Sequence, residues 1–333
     1  MTMNSSWLRF IAIGLIEFWL VTTVGGRAVL AQSCPPDGAK YAICDNGQRV
    51  TLTSTFQSVE VADSNAQATG VHVGGNTNWV STFASAQLIT VGGNQGQATG
   101  ISVGGLSNKV SNRYTSQWIW VKGEGAKATG ISVGGFFNSV SNKHTSQWIW
   151  VKGEGSKATG INVGGFSNSV SNKHTSQWIW VTGKSAKVTG INVGGGFNRV
   201  SNKNTFQWIA VNVDDARVTG INVEGMGNLV VNNRSVQWVE GQADRAEVTG
   251  INVTGWGHLV SNHASFQKIR IKGDNARVTG INVEGMGNVV VNNMSAQWIE
   301  VKGAGAQATG MAAGGVGNKL VNAGGSKVNV SAL

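Results

Sequence analysis

The chain has 333 residues, including 48 glycines, 2 prolines and 2 cysteines, and its formal net charge at pH 7 is +10. Glycine is about twice as frequent as in ordinary globular proteins, and no proline follows Pro36 to interrupt a hydrogen-bonded β-ladder. The positive residues are spread over many segments, which excludes a nucleic-acid groove and leaves only weak attraction to anionic polysaccharide.

Residues 1–31 have the layout of a secretory signal peptide. Arg9 precedes an apolar run over residues 10–24, and small residues lead to a cleavage site after Ala31. The alternative, a membrane anchor, is disfavoured because the run is short and contains Glu17. We therefore expect a secreted bacterial protein, extracellular or at the cell surface, with no membrane span in the mature chain.

The two cysteines lie shortly after the predicted cleavage site. In an exported protein, Cys34 and Cys44 are most simply one disulfide, since an oxidising compartment disfavours two free thiols. The bond would close a small loop in an N-terminal cap, which we assign with a partial first repeat to residues 32–60.

From residue 61 to residue 320 the sequence is a 30-residue repeat. A Thr-Gly dipeptide recurs nine times at this spacing without an insertion or a deletion. Periods of 20 to 50 residues are typical of solenoids, propellers and arrays. The nine threonines are Thr69, Thr99, Thr129, Thr159, Thr189, Thr219, Thr249, Thr279 and Thr309.

Each repeat is predicted to contain three short strands. In the unit 128–157, alternating stretches at 129–133, 138–142 and 145–151 are separated by turns rich in glycine or polar residues. The glycines leave no apolar period of 3.6 residues, which excludes an amphipathic helix.

Comparing the nine copies column by column predicts which side chains face inward. Around Gln147, every second column keeps its residue type while the intervening columns vary, so the constant parity is predicted to be internal. The same test predicts that Thr129 faces inward and that Ala128 and Gly130 face outward. The Gly135 column has no exception, which predicts a positive φ or a close backbone approach.

The Gln and Asn columns are predicted to form internal ladders. Buried amides are costly unless paired, and a parallel, in-register stack lets each amide bond the identical amide in the next coil. The sequence therefore predicts an all-β fold, a parallel β-solenoid of nine to ten coils with about three strands each, whose last coil ends in residues 321–333. Two flattened coils per repeat are the alternative. The ladder residues are Gln117, Gln147, Gln177, Gln207, Gln237, Gln267 and Gln297, with Asn108, Asn138, Asn168, Asn198, Asn228 and Asn288.

Two segments resemble the strand–arc–strand core of curlin repeats. Val223-Glu-Gly225-Met-Gly-Asn228-Leu-Val230 and its copy at 283–290 place glycine and asparagine at the steps used there. The similarity recurs over residues 60–320, with valine replacing the first glutamine and the alanine, and with a longer repeat. The resemblance implies a subunit of extracellular amyloid-like fibres, such as pili or biofilm matrix.

Tryptophan occupies two columns on the variable, outward parity of the third strand. Exposed apolar patches usually mark interaction surfaces. The stripe is predicted to serve lateral contact between rods or sugar stacking, unless neighbouring residues simply cover the rings. Its members are Trp118, Trp120, Trp148, Trp150, Trp178, Trp180, Trp208, Trp238 and Trp298.

No catalytic or metal-binding constellation is expected. The adjacent acids Asp214 and Asp215 fall in a turn, and His144 shares its column with Tyr114 and Asn204, which a repeated metal site would not tolerate. We therefore predict a non-enzymatic structural or adhesive protein that self-associates, without a cofactor or a nucleic-acid partner. The alternative is a glycan-binding adhesin that acts as single rods through its Trp columns.

Overall fold

The computed structural model describes residues 39–43, 49–53, 56–61, 67–323 and 327–332. The predicted signal peptide and both cysteines lie outside these residues. Within them, the strands form three parallel sheets of ten strands each. No helix in these described ranges is long and apolar enough to cross a membrane.

The chain visits the three sheets in turn, so that three successive strands make one coil. Sheet 1 contains β1 (Ala39–Ile43), β4 (Gln67–Val73), β7 (Gln97–Val103), β10 (Lys127–Val133), β13 (Lys157–Val163), β16 (Lys187–Val193), β19 (Arg217–Val223), β22 (Glu247–Trp256), β25 (Arg277–Met286) and β28 (Gln307–Ala313). Sheet 2 contains β2 (Arg49–Thr53), β5 (Trp79–Phe83), β8 (Lys109–Arg113), β11 (Ser139–Lys143), β14 (Ser169–Lys173), β17 (Arg199–Lys203), β20 (Leu229–Asn233), β23 (Leu259–His263), β26 (Val289–Asn293) and β29 (Lys319–Ala323). Sheet 3 contains β3 (Phe56–Val61), β6 (Ala86–Val91), β9 (Ser116–Val121), β12 (Ser146–Val151), β15 (Ser176–Val181), β18 (Phe206–Val211), β21 (Val236–Gln242), β24 (Phe266–Lys272), β27 (Ala296–Lys302) and β30 (Lys327–Ala332).

The strands pair in the register of the repeat. Thr129 pairs with Thr159, and Gln147 pairs with Gln177. The predicted parallel β-solenoid with three strands per coil is therefore confirmed. The last strand departs from this register by one residue, because β30 places Val328 opposite Gln297.

From residue 71 onward, two apolar cores occupy the interior of the coils. Ile149 and Val151 of sheet 3 pack in one core with Ala128 of sheet 1. Val133 of sheet 1 packs in the other core with Val140 of sheet 2. Because each coil contacts only its neighbours, stability is approximately a sum over coils and coil interfaces.

Strands of sheet 1 reverse their alternation between Gly130 and Ile131. Ala128 is only 2% exposed and Gly130 is buried, whereas Thr129 is partly exposed on the outer side. The predictions that Thr129 faces inward, and that Ala128 and Gly130 face outward, are therefore wrong. They assumed an unbroken strand, but the paired residues run from 127 to 129 and from 131 to 133, leaving Gly130 out of the ladder.

Tight corners use left-handed backbone conformations. Phe137 and His144 have φ of 55° and 53°, and each donates its N–H to a carbonyl of the following coil. Gly135 has φ of 71°, and a Cβ there would lie 2.2 Å from the Gly105 carbonyl oxygen. The constant glycine of this column thus satisfies both a positive φ and a close backbone approach.

Candidate functional site: internal ladders and exposed aromatic columns

The Gln column runs between the two apolar cores. Gln147 Nε2 donates to Gln117 Oε1 at 2.6 Å, and Gln117 Nε2 donates to the Gly130 carbonyl oxygen at 3.2 Å. Equivalent Gln-to-Gln bonds continue to Gln297. The buried amides are thus bonded from coil to coil, which removes most of the cost of burying them.

The Gln ladder explains why the repeat carries glycine after threonine. A Cβ at Gly130 would lie 1.6 Å from Gln147 Nε2 and 2.5 Å from the Gly160 carbonyl oxygen. The Gln amide therefore packs directly on the Gly130 backbone, in space that any other residue would fill. The Thr-Gly spacing records this contact once per coil.

The two Asn columns bond in different ways. Asn138 Oδ1 accepts the backbone N–H of Asn108 at 2.8 Å, and Asn138 Nδ2 donates to the Gly105 carbonyl oxygen at 3.1 Å. The amide-to-amide bonding predicted for this column is therefore wrong, because its side chains hold the arc backbone. An amide ladder does form four residues later, where Asn142 Nδ2 donates to Asn172 Oδ1 at 2.8 Å.

His258 stands in the Asn138 column and reproduces both amide roles. Its Nδ1 accepts the backbone N–H of Asn228 at 3.0 Å, and its Nε2 lies 3.1 Å from the Thr254 carbonyl oxygen. This pairing requires the neutral ring with its proton on Nε2. Burial lowers the pKa of His258 below its usual value, although the carbonyl groups of Thr254 and Gly225 oppose that shift.

Replacing His258 by asparagine should make the rod less sensitive to acid. The unfolded chain protonates this histidine below its ordinary pKa of about 6.5, while the folded chain keeps it neutral to a lower pH. Stability is therefore lost as the pH falls from about 6.5 to the folded-state pKa, and the loss is constant below that. His258→Asn should lose less stability than the parent between about pH 7.5 and about pH 5.

Urea unfolding midpoints of both proteins at the two pH values provide the measurement. The pKa values of His72 and His144 are also lowered, by burial in both cases and further by the nearby His174 for His144. These two residues remain in both proteins, so the difference between the proteins isolates His258. Equal losses in parent and variant would contradict the prediction.

The first Trp column forms a stack on the outer surface of sheet 3. Trp118 and Trp148 have ring centroids 5.1 Å apart, Trp148 and Trp178 have centroids 5.0 Å apart, and the planes differ by 6° in both pairs. The rings cover one another's faces, so the stack presents mainly ring edges. A sugar needs a free aromatic face, and inside this stack none remains.

The second Trp column is more exposed, and lysine side chains lie against its rings. Trp120 and Trp180 are 37% and 43% exposed. The Lys152 ammonium lies 4.7 Å from the Trp150 ring centroid, and Lys122 lies 5.5 Å from that of Trp120. The indole Nε1 of Trp150 is buried without a hydrogen-bond partner. This column combines aromatic surface with positive charge.

The remaining tryptophans extend the surface unevenly. Trp208 packs edge-on against Trp178 at 5.2 Å, so the aromatic patch is continuous from the coil of Trp118 to the coil of Trp208. Trp238 donates instead to Glu240 at 2.9 Å. Trp298, three coils beyond Trp208, is 47% exposed.

A second exposed feature lies on the arc between sheets 1 and 2. The arc is not a continuous strand, so the alternation of the strands does not predict which of its side chains face outward. The sequence signals this feature in the two columns that contain residues 136 and 137. Neither column carries a charged residue in any copy from residue 76 to residue 317. We call the exposed apolar side chains of these two columns the arc ridge. Its members are Leu106, Phe136, Phe137, Phe166, Phe197, Met226, Trp256, Met286 and Val316.

The acidic and histidine positions have structural contacts. Asp214 Oδ1 accepts the backbone N–H of Asp244 at 2.9 Å, and Asp215 pairs with Arg245 at 2.7 Å. His144 stacks on its column neighbours at ring-centroid distances of 5.0 Å. Across the described ranges, no group of three His, Cys, Asp or Glu residues is placed to hold a metal ion.

No protein-family model and no curated protein sequence matches the chain. Among solved structures, it is similar to the crystal structure of the periplasmic alginate epimerase AlgG, with 9% sequence identity over 77% of each chain and a TM-score of 0.20. A likeness this distant carries no functional argument.

Proposed function

We propose that this chain is a secreted structural protein whose β-solenoid rods stack end to end into extracellular fibres or a surface matrix. The observation that carries this proposal is the open face of the last coil, β28 to β30. Ile281 and Asn292 are 2% and 6% exposed, whereas their counterparts Met311 and Asn322, one coil later, are accessible to solvent. Sheet edges that stay uncovered recruit further strands.

Backbone groups of the last coil point along the axis in the same way. In the coil before, the N–H groups of Asn275 and Gly287 donate to carbonyl oxygens of Ala304 and Val316 at 2.8 and 2.9 Å. The equivalent residues in the last coil have no coil beyond them in the part of the chain that the structure describes. Their N–H groups therefore favour the addition of another coil.

The first coil has the strand register of the repeat. Ala39 pairs with Thr69, Arg49 with Trp79, and Phe56 with Ala86, each in the 30-residue register. The strands of the first coil therefore have the spacing that would let the first coil of a second copy follow β28, β29 and β30, with the predicted N-terminal cap displaced from their other edge. Parallel, in-register polar ladders favour this addition of like to like, as does the resemblance to curlin repeats.

One column of the end face does not continue the ladder. Because Val328 takes the Gln position in β30, Gln297 Oε1 is buried without a donor. Sheets 1 and 2 retain Thr309 and Asn322 in their columns, and Asn322 Oδ1 still accepts Asn292 Nδ2 at 3.0 Å. We therefore assign the template for stacking to the edges of these two sheets.

Two neighbouring lysine substitutions test end-to-end stacking in the mature chain, residues 32–333. Leu320 packs against the core at the end face, whereas Val321 is 39% exposed on the outer side. Leu320→Lys should keep the rods single, because stacking would bury its ammonium group. The parent and Val321→Lys should form fibres one rod wide or wider.

Electron microscopy and sedimentation velocity distinguish the outcomes, and circular dichroism checks that both variants fold. Discrete parent rods at every concentration would overturn the proposal. Fibres formed by Leu320→Lys as readily as by the parent would overturn the assigned end face.

A second candidate function is that of a glycan-binding adhesin, and the distribution of charge favours it. Residues 97–210 carry 12 Lys and Arg, 2 Asp and Glu, and 7 Trp, whereas residues 211–303 carry 8 Lys and Arg and 9 Asp and Glu. The continuous Trp patch thus lies in the basic half of the rod, which suits an acidic polysaccharide. Single rods that are retained on such an immobilised polysaccharide, and released by salt, would support this function over fibre formation.

A further inference from the structure

The arc ridge offers an uncharged surface along most of the rod. Phe136, Phe137, Phe197 and Trp256 are between 52% and 61% exposed. From Leu106 to Val316 the ridge crosses seven coil steps, or roughly 34 Å at about 4.8 Å per step. An apolar surface this long marks an interaction site.

The first column of the ridge, which contains Phe136, has side chains of similar size at equal distances on both sides of Gly196. Gly196 is buried, because the Phe166 ring covers it at 2.9 Å from the position of a Cβ. Large apolar side chains follow at equal steps on both sides. The pairs at one, two and three coils from Gly196 are Phe166 and Met226, Phe136 and Trp256, and Leu106 and Met286.

The second column of the ridge, which contains Phe137, has a large side chain on one side of this centre where it has a glycine on the other. Phe137 lies two coils before the centre, and Gly257 lies two coils after it. A Cβ at Gly257 would meet no atom within 4 Å, so the space above this glycine is open. A rotation that reverses the rod about its centre brings Phe137 of one copy over Gly257 of another.

We propose that two rods pair side by side and antiparallel through the arc ridge, about a two-fold axis at Gly196 and Phe197. A parallel pair would instead place the same coil of both copies at one height, so that Phe136 and Phe137 of one copy would meet Phe136 and Phe137 of the other. A two-fold contact uses the same surface of both copies and closes after one pairing. The occupant is a second copy because reversal sets apolar side chains against apolar ones in the column of Phe136 and a large side chain over an open glycine in the column of Phe137, which a lipid surface or an unrelated protein would not require.

This pairing is independent of end-to-end stacking, since it uses the arc and leaves the end face free. Its test is therefore made in the Leu320→Lys background, where stacking is blocked. In sedimentation velocity this protein should form dimers, and Phe136→Ser with Trp256→Ser should weaken dimerisation at least tenfold. Trp298→Ser, a comparably exposed tryptophan on sheet 3, should leave the dimer unchanged.

Engineered cysteines establish the direction of pairing. Phe197→Cys should cross-link to itself as a disulfide dimer on a non-reducing gel, because this position lies at the axis. Leu106→Cys and Met286→Cys should each fail to cross-link alone but should cross-link when the two variants are mixed, since the coil of Leu106 faces the coil of Met286 in the antiparallel pair. Leu320→Lys alone controls for the two natural cysteines.

The outcomes separate this proposal from fibre formation. Monomers at all concentrations, or self-cross-linking of Leu106→Cys as strong as that of Phe197→Cys, would overturn antiparallel pairing through the ridge. Dimers in the Leu320→Lys background, together with a parent that never forms fibres, would support the pairing and refute end-to-end stacking alone.

Discussion

Gly160→Ala should strongly destabilise the rod, although it adds only one methyl group. The new Cβ would lie 1.6 Å from Gln177 Nε2 and 2.6 Å from the Gly190 carbonyl oxygen. The Gln177 amide would have to leave Gln147 Oε1, to which it donates at 2.6 Å, and the backbone oxygen could not move away without opening sheet 1. We expect a loss of about 3 kcal/mol or more in the free energy of unfolding, from overpacking and unpaired buried groups.

Gly164→Ala is the matched control in the same coil. The nearest atom to its Cβ is the Val133 carbonyl oxygen at 4.0 Å, and Gly164 has no positive φ. This substitution should change the free energy of unfolding by no more than about 0.5 kcal/mol. Guanidinium unfolding followed by circular dichroism measures both variants. Similar losses at Gly160 and Gly164 would show that the Gln contact does not determine the constant glycine.

Most of the fold could be predicted because nine copies of equal length show each column nine times. In sheets 2 and 3, alternation continues through the whole strand, so Val140 and Gln147 are buried as the constant columns indicate. Gly135 could be predicted because a column that never accepts a side chain has few physical explanations.

The wrong predictions concern features that depend on contacts between sheets. The alternating pattern around Gly130 is compatible with Thr129 facing inward or outward. The Gln147 amide of sheet 3 packs on the inner side of Gly130, and this contact determines that Thr129 faces outward. Asn138 and Asn142 are the same residue type, but Asn138 lies beside the arc backbone and Asn142 lies within a strand. No local pattern distinguishes these two environments.

The exposed aromatic surfaces depend on more than the direction of each side chain. The Trp columns could be placed outward from strand parity, but whether their faces are free depends on ring rotation, which parity does not describe. Trp118 and Trp148 stack at 6°, whereas Trp120 and Trp150 meet at 69°. The second column is therefore edge-on in this pair but stacked at 16° between Trp150 and Trp180, so similar sequence columns differ in the ring surface that they offer to a ligand.

The second large effect is expected at Gln177, where the ladder has neighbours on both sides. Gln177→Leu keeps a similar volume but removes the donor of Gln147 Oε1 and the acceptor of Gln207 Nε2, both bonded at 2.6 Å. Each buried group left unpaired costs about 1–3 kcal/mol. We therefore expect Gln177→Leu to reduce the free energy of unfolding by about 2–5 kcal/mol, measured by guanidinium unfolding.

Gln297→Leu provides the control, because the ladder ends there. It deprives Gln267 Oε1 of its donor, bonded at 2.5 Å, but it also removes the Gln297 Oε1 atom that already lacks a partner. One unpaired group is created and another disappears, so the loss should be well below that of Gln177→Leu. Since each coil interacts only with its neighbours, this difference measures the ladder bond itself. Equal losses at the two positions would mean that apolar packing, and not amide pairing, stabilises the Gln column.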